Sequence, residues 1–290
     1  MVTIKNEHIE VTIDTLGAQM RSLKLDGKEY LWQGDKLYWG GQAPVLFPIV
    51  GGLRNNLTII ENRIYSMKRH GFARFSQFEI AKQNEESVTF FLKNSEETLA
   101  QYPYNFEFCV TYTVKGCTVT VDYDVKNTDS RILPFAIGGH PAIKCPINKG
   151  EAFEDYAVQF ECAENSDCAT VDMEKGLIDF NNRYKGLSGS DTINLEHKLF
   201  YQDAMIFDDL KSTSCKLYSK KSGNGVKMDF TGYDIFAIWS AVNDAPFVCL
   251  EPWVGCATTA QADDQFESKR GLIHLDPGGT CKKTFTLELF

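Results

Sequence analysis

The sequence predicts an all-β protein of antiparallel strands with few short helices. Three observations carry the prediction. Apolar and polar residues alternate with period two along many short segments, and turn dipeptides separate those segments. Aromatic residues make up 12% of the chain, with twenty Phe and twelve Tyr. Flat and β-branched side chains pack on a pleated surface, and sustained alternation marks a half-buried strand.

The elements follow in order. HIEVTID alternates, LGAQ turns, MRSLKL alternates again, and Asp26-Gly27 is a tight-hairpin dipeptide before KEYLWQ. SVTFFLKN is a short strand, and NSEETLAQY, a Ser followed by Glu residues, reads as one or two helical turns. FEFCVTYTV and CTVTVDYDVKN flank Lys115-Gly116; in the second, Val119, Val121, Tyr123 and Val125 share one face. The stretch from Asn148 to Leu195 is more polar and irregular, with strand-like pieces such as YAVQFEC. CKLYSKK, SGNG and VKMDFTG form another hairpin, and FAIWSAV, FVCLEPW and TFTLELF complete the set. Strands do not alternate with helices, which argues against a parallel α/β sheet. With no fixed-period repeat and no low-complexity linker, residues 1–290 read as a single domain.

Net charge is −9 with a pI near 5.1. Such a surface repels nucleic acid phosphates and anionic lipid, so neither partner is expected. The N-terminal stretch lacks the apolar run of a signal peptide, and no segment is long enough to span a bilayer. Nine cysteines without a CxxC pair point to reduced, mostly buried thiols in a cytoplasmic protein, with no zinc cage.

Antiparallel sheets place ligands on concave faces and at loop mouths, so polar residues at strand breaks carry the most information. RHGFAR sets His70 beside Gly71 and brings Arg74; a surface turn would read the same way. IGGHPA holds His140 between Gly138-Gly139 and Pro141, either a structural turn or a histidine on a defined stalk. FVCLEPW ends an apolar strand on Glu251 before Pro252 and Trp253; a buried carboxylate there needs a partner or a use. In FYQDAMIF, Asp203 interrupts an aromatic segment, as a turn residue also would. Two histidines, one or two carboxylates and four tryptophans (Trp32, Trp39, Trp239, Trp253) suit a sugar. Aromatic faces cover its C–H side, polar groups bind hydroxyls, and an acid and a base move protons about the hemiacetal. Phosphate loops, serine elbows and metal cages leave no motif here.

APVLFPIVG, HGFAR, FAIGGHPA and LEPWVG, in this order and spacing, resemble the aldose 1-epimerase (galactose mutarotase) superfamily, within it the LacX-like branch of mutarotase-related proteins. The resemblance runs from YLWQG to LDPGGT. It implies a β-supersandwich with an open sugar-binding face, and interconversion of the anomers of a free aldose without metal or cofactor. It implies His140 as general acid, Glu251 as general base, His70 near the sugar, and an arginine after PIVG as a hydroxyl ligand. Asp203, Arg74 and Trp253 complete the implied sugar site.

Two departures bear on specificity. Relatives carry Arg or Lys directly after PIVG, whereas here the run is Gly51-Gly52-Leu53-Arg54, so Arg54 is expected to substitute if the strand continues without a bulge. After EPW the chain reads Val254-Gly255-Cys256-Ala257-Thr258, without the usual aromatic or His followed by an acid. A hexose-6-phosphate mutarotase, using Lys68, Arg69, Arg74 and Arg54, and a non-catalytic sugar-binding or sensor protein remain alternatives. A glycoside hydrolase fits less well, because its usual pair is two carboxylates. The acid role requires a protonated His140, which neighbouring carboxylates are expected to supply.

Overall fold

A computed structural model describes residues 1–290, and every ladder between its strands is antiparallel, with three isolated parallel bridges. A four-stranded sheet holds the N-terminal strands Val2–Lys5, Ile9–Asp14, Gln19–Leu25 and Lys28–Glu29. A nine-stranded sheet runs from Leu177–Asn194 at one edge, through Thr280–Leu289 and Thr118–Asn127, to Glu79–Gln83 at the other. A six-stranded sheet carries Met205–Phe207, Ile235–Trp239, Phe247–Val254, Ile137–Gly139, Val45–Leu46 and Ala142–Lys144. Two small ribbons complete the set.

The turn chemistry explains several joins. Asp26 and Gly27 both adopt positive φ (47° and 80°), the primed-turn conformation that suits the twist of a tight hairpin. Ser95 caps the helical turn Glu96–Leu99 reciprocally: Thr98 N–H donates to its hydroxyl, and its own N–H donates to Thr98 Oγ1. KEYLWQ keeps only Lys28–Glu29 in the ladder, with a lone bridge from Leu31 to Ile143.

The polar stretch 148–195 holds the two longest strands, Tyr156–Asp172 and Leu177–Asn194. Their ladder shifts register four times, between Gln159 and Glu164, Glu164 and Asn165, Ser166 and Cys168, and Ala169 and Thr170. Each shift leaves residues unpaired and bends the strand, so the period-two signal breaks up even though the pairing persists.

One cluster of 66 buried residues, from Val2 to Leu289, joins the sheets. The inner face of the six-stranded sheet packs on the nine-stranded sheet: Phe47 stacks on Phe108 at 4.7 Å, and Phe160 meets Phe236 edge-on at 6.0 Å. The outer face forms the floor of a cleft. There Ile206, Ala237 and Glu251 are successive cross-strand partners, and the small Ala237 and nearby Ala204 deepen the concavity. The tip of the long hairpin overhangs this face. It is laced to the loop after the glutamate strand by Ile178 N–H to Thr258 O and Ala260 N–H to Ile178 O, and that loop is tied to Gly52 by Thr258 N–H to Gly52 O.

The His70 turn depends on close packing. Gly71 sits at φ 73°, and a Cβ there would lie 2.2 Å from Phe47 O. Gly71→Ala is therefore predicted to destabilise the protein by roughly 1–3 kcal/mol from backbone strain alone, with the clash adding to it. Urea unfolding measures this, and a midpoint equal to wild type would contradict the packing described.

Candidate active site

Strand register brings His140 and Glu251 together. Ile137–Gly139 and Ala142–Lys144 both pair with Phe247–Val254: Gly138 lies opposite Trp253, and Ala142 opposite Cys249. The two ladders share one register, so at the break between them His140 falls opposite Glu251. Alternation then sorts the glutamate strand. Val248, Leu250 and Val254 enter the main core, while Phe247, Cys249, Glu251 and Trp253 face outward. Gly138 and Gly139 are extended rather than left-handed, and closeness is what demands them. A Cβ on Gly138 would lie 2.8 Å from Trp253 Cδ1, and one on Gly139 2.9 Å from Phe285.

The pair is almost fully buried, with His140 7% and Glu251 1% exposed. His140 Nε2 lies 3.3 Å from Glu251 Oε1, and Trp253 Nε1–H donates to Glu251 Oε2 at 3.2 Å. The imidazole stacks on Trp39 (centroids 5.0 Å) and meets the edges of Trp239 and His70 at 5.5 Å. Trp32 stays in the core below, where its Nε1–H donates to Trp39 O and positions that ring. His70 is locked to Gly51. Its backbone N–H donates to Gly51 O at 2.8 Å, and Gly51 N–H donates to its Nδ1 at 3.1 Å. Since Nδ1 accepts, the ring's own proton belongs on Nε2. Burial, reinforced by His140, Arg74 and Arg69, holds His70 well below the ordinary histidine value, so it is a neutral donor.

The remaining residues divide. Arg74, Asp203 and Trp253 line a cavity of about 350 Å³ together with His70, His140 and Glu251, near the small end of the roughly 300–1,000 Å³ range of ligand pockets. Asp203 adopts φ 76° and accepts from Ala204 N–H at 2.8 Å. Arg54 is elsewhere, which corrects the expectation of a substitute for the missing basic residue. The chain turns over Arg54–Asn56, with Asn55 at φ 54°, instead of continuing as a strand. Arg54 instead pairs with Asp264 at 3.1 Å and donates to the carbonyls of Thr259, Ala260 and Ala262. Lys68 lies against the Phe75 ring. Sequence reasoning did not assign the hairpin-tip residues Val171, Met173, Gly176 and Ile178 to the cavity wall, nor Arg69 to a free-sugar site. The guanidinium of Arg69 passes beneath Gly176, where a Cβ would lie 2.5 Å from it. Its position beside His70 was the only available signal. Neither Arg69 nor Arg74 is in an ion pair, although both line the cavity.

Electrostatics differ from the expectation that carboxylates keep His140 charged. Burial, with the positive charges of Arg74 and Arg69, pushes His140 down to about 3. Burial and the nearby Asp203 charge push Glu251 well above its ordinary 4.5, against the Trp253 hydrogen bond and the two arginines. The pair therefore holds one proton as a neutral imidazole beside a carboxylic acid. Between about 3, where folded His140 titrates, and 4.5, Glu251's ordinary value, an unfolded chain carries protons on both groups and the folded pair only one, so stability rises with pH. Between 4.5 and the ordinary histidine value of 6.5 each state carries one, and the contribution is flat. Above 6.5 the unfolded chain has released both, and as far up as Glu251's raised value lets the folded pair keep its proton, stability falls as pH rises. In Glu251→Gln this alkaline loss disappears. Wild type should lose ground to that variant above pH 6.5 by up to about 1.4 kcal/mol per pH unit, read from urea unfolding at several pH values; parallel curves would contradict the shared proton.

The geometry can be set beside known proteins. A family model described as Aldose 1-epimerase matches residues 1–288. Protein LacX from Lactococcus lactis subsp. lactis (plasmid) is 39% identical over 295 residues, covering 99% of each chain. A solved galactose mutarotase related enzyme from Lactobacillus acidophilus shares 33% identity at a TM-score of 0.95, over 100% of this chain and 97% of that one. A galactose mutarotase-like protein from Lactobacillus casei ATCC 334 shares 27% identity at a TM-score of 0.90, with both chains fully covered. The antiparallel sheets are those of the galactose mutarotase-like fold, and the chain belongs to the aldose 1-epimerase family.

Proposed function

We propose that the protein interconverts the α and β anomers of an aldose, with His140 and Glu251 as its acid–base pair. The observation that carries this reading is their 3.3 Å contact on the floor of a sugar-sized cavity. Ring opening needs a base at O1 and an acid at O5. Passing the pair's single proton from Glu251 to His140 supplies both at once, a carboxylate and an imidazolium, without exchange with solvent. Glu251 then removes the O1 proton as C1=O1 forms, the C1–O5 bond breaks, and His140 protonates O5. Rotation about C1–C2 turns the other face of the aldehyde to O5. Closure runs backwards: O5 attacks C1, its proton returns to His140, and Glu251 reprotonates O1. Protons and electrons balance within the pair and the sugar.

The surrounding residues suit positioning. His70 offers its Nε2–H, Arg74 and Arg69 offer donors, Asp203 accepts from hydroxyls, and Trp39, Trp239 and Trp253 supply apolar faces. Trp253 also fixes the second oxygen of Glu251, leaving Oε1 to His140 and the sugar.

Polarimetry tests the assignment. His140→Asn and Glu251→Gln should each slow approach to anomeric equilibrium by at least ~10², since one general acid or base is typically worth 10²–10⁴, while sugar binding persists. Because Glu251 holds the pair's proton above its ordinary 4.5 and His140 stays neutral down to about 3, kcat/KM should show no acid limb near 4.5. Wild-type protein that accelerates no aldose would leave a sugar-binding protein on this fold.

One observation favours a second reading of the substrate. The guanidinium groups of Arg69 and Arg74 line the cavity without carboxylate partners, which suits a phosphorylated aldose. A panel of free hexoses and hexose 6-phosphates separates the two. A preference for phosphates that Arg69→Gln abolishes supports the second, and equal or better rates on free sugars support the first.

A further inference from the structure

Behind the acid–base pair lies a third group that anomerisation does not use. Cys249 stands two residues before Glu251 on the same face of its strand. One ligand atom each from Cys249, His140 and Glu251 lie within 4.8 Å of one another, and all three residues are buried. The Cys249 thiol is free, and His140 presents Nε2 to Glu251 Oε1 at 3.3 Å while its Nδ1 is buried without a hydrogen-bond partner. No CxxC spacing announces the arrangement, because the ligands are an i, i+2 pair on one strand and a residue across the ladder from them.

We propose that His140, Cys249 and Glu251 form a site for a zinc-type divalent cation, and that its occupation removes the acid–base pair from use. Thiolate, imidazole and carboxylate are the donors that zinc takes, and three protein ligands leave a fourth position open toward the cavity. Bonds of about 2.0–2.3 Å to a tetrahedral ion hold ligand atoms roughly 3.3–3.7 Å apart, so small side-chain rotations close the cluster. Charge balances as well. A thiolate, a carboxylate and a neutral imidazole neutralise a divalent ion in a setting where net charge is costly, and binding releases the ligands' protons. Arg69, Arg74, His70 and Asp203 face the same cavity; the two arginines oppose a cation and Asp203 favours it. His140 and Glu251 line the cavity and Cys249 does not, so the ion enters by the sugar's route and competes with it. Inhibition rests on the proposed epimerase activity, whereas metal binding does not.

The test uses the full chain after chelator treatment. Cobalt(II) should bind one-to-one with a near-ultraviolet thiolate-to-cobalt absorption band. Cys249→Ala should lose that band, weaken zinc by more than the roughly tenfold that loss of even an outer-shell partner costs, and keep its basal anomerisation rate while escaping inhibition. Cys249→Ser replaces it should the alanine variant fail to fold, judged by circular dichroism. Added aldose should weaken the apparent zinc affinity of wild type. Absence of the thiolate band, its survival in both variants, or unchanged zinc affinity would overturn the proposal. A normal cobalt spectrum in a protein that anomerises no sugar would instead overturn the epimerase reading and leave the site standing.

Discussion

The site depends on placing an imidazole and a carboxylate side by side in a protein interior. Removing either charge from water is expensive, and the cost falls only when the two share a proton and stay neutral together. His140 and Glu251 do this through strand register: one glutamate strand pairs with two short segments in a common register, and the histidine sits at their break. A one-residue slip of either ladder would turn Glu251 into the core and Leu250 into the cleft.

Much of the surrounding structure follows from that constraint. Gly138 and Gly139 let the histidine segment approach Trp253 and Phe285, and Trp253 then reaches Glu251 with its indole N–H. Trp39 and Trp239 cover the imidazole and exclude water, which is what holds it neutral. The long bulged hairpin brings its tip over the opening and is fastened there through the 258–260 loop, itself tied to Gly52. The same low-dielectric setting that makes the pair neutral would also shield the proposed proton transfers from competing solvent.

The sequence disclosed the parts whose signal is local. Val119 to Val125 and its partner strand alternate cleanly and pair as read, and Ser95 caps the short helix. His140, Glu251, His70, Asp203, Arg74 and Trp253 were each visible in the sequence, and the structure brings them to one cavity, although the strand Phe247–Val254 runs on past Glu251 instead of ending there. What failed depended on longer-range geometry. The hairpin 156–194 lost its alternation to bulges. Arg54 was placed by assuming a continuing strand, and a left-handed Asn55 sends it to Asp264. The protonation of His140 was argued from neighbouring charges, although burial, which no local sequence pattern reports, decides it.

The most direct test of this account is the protonation state of His140 in the sugar-free, chelator-treated protein. Nitrogen-15 NMR of the imidazole across pH 4.5 to 6.5, the interval between the ordinary values of the two groups, reads it without reference to turnover. The account predicts neutral-imidazole shifts through the whole interval, with Glu251 keeping the proton. A histidine that becomes imidazolium with an ordinary midpoint near 6.5 would contradict it.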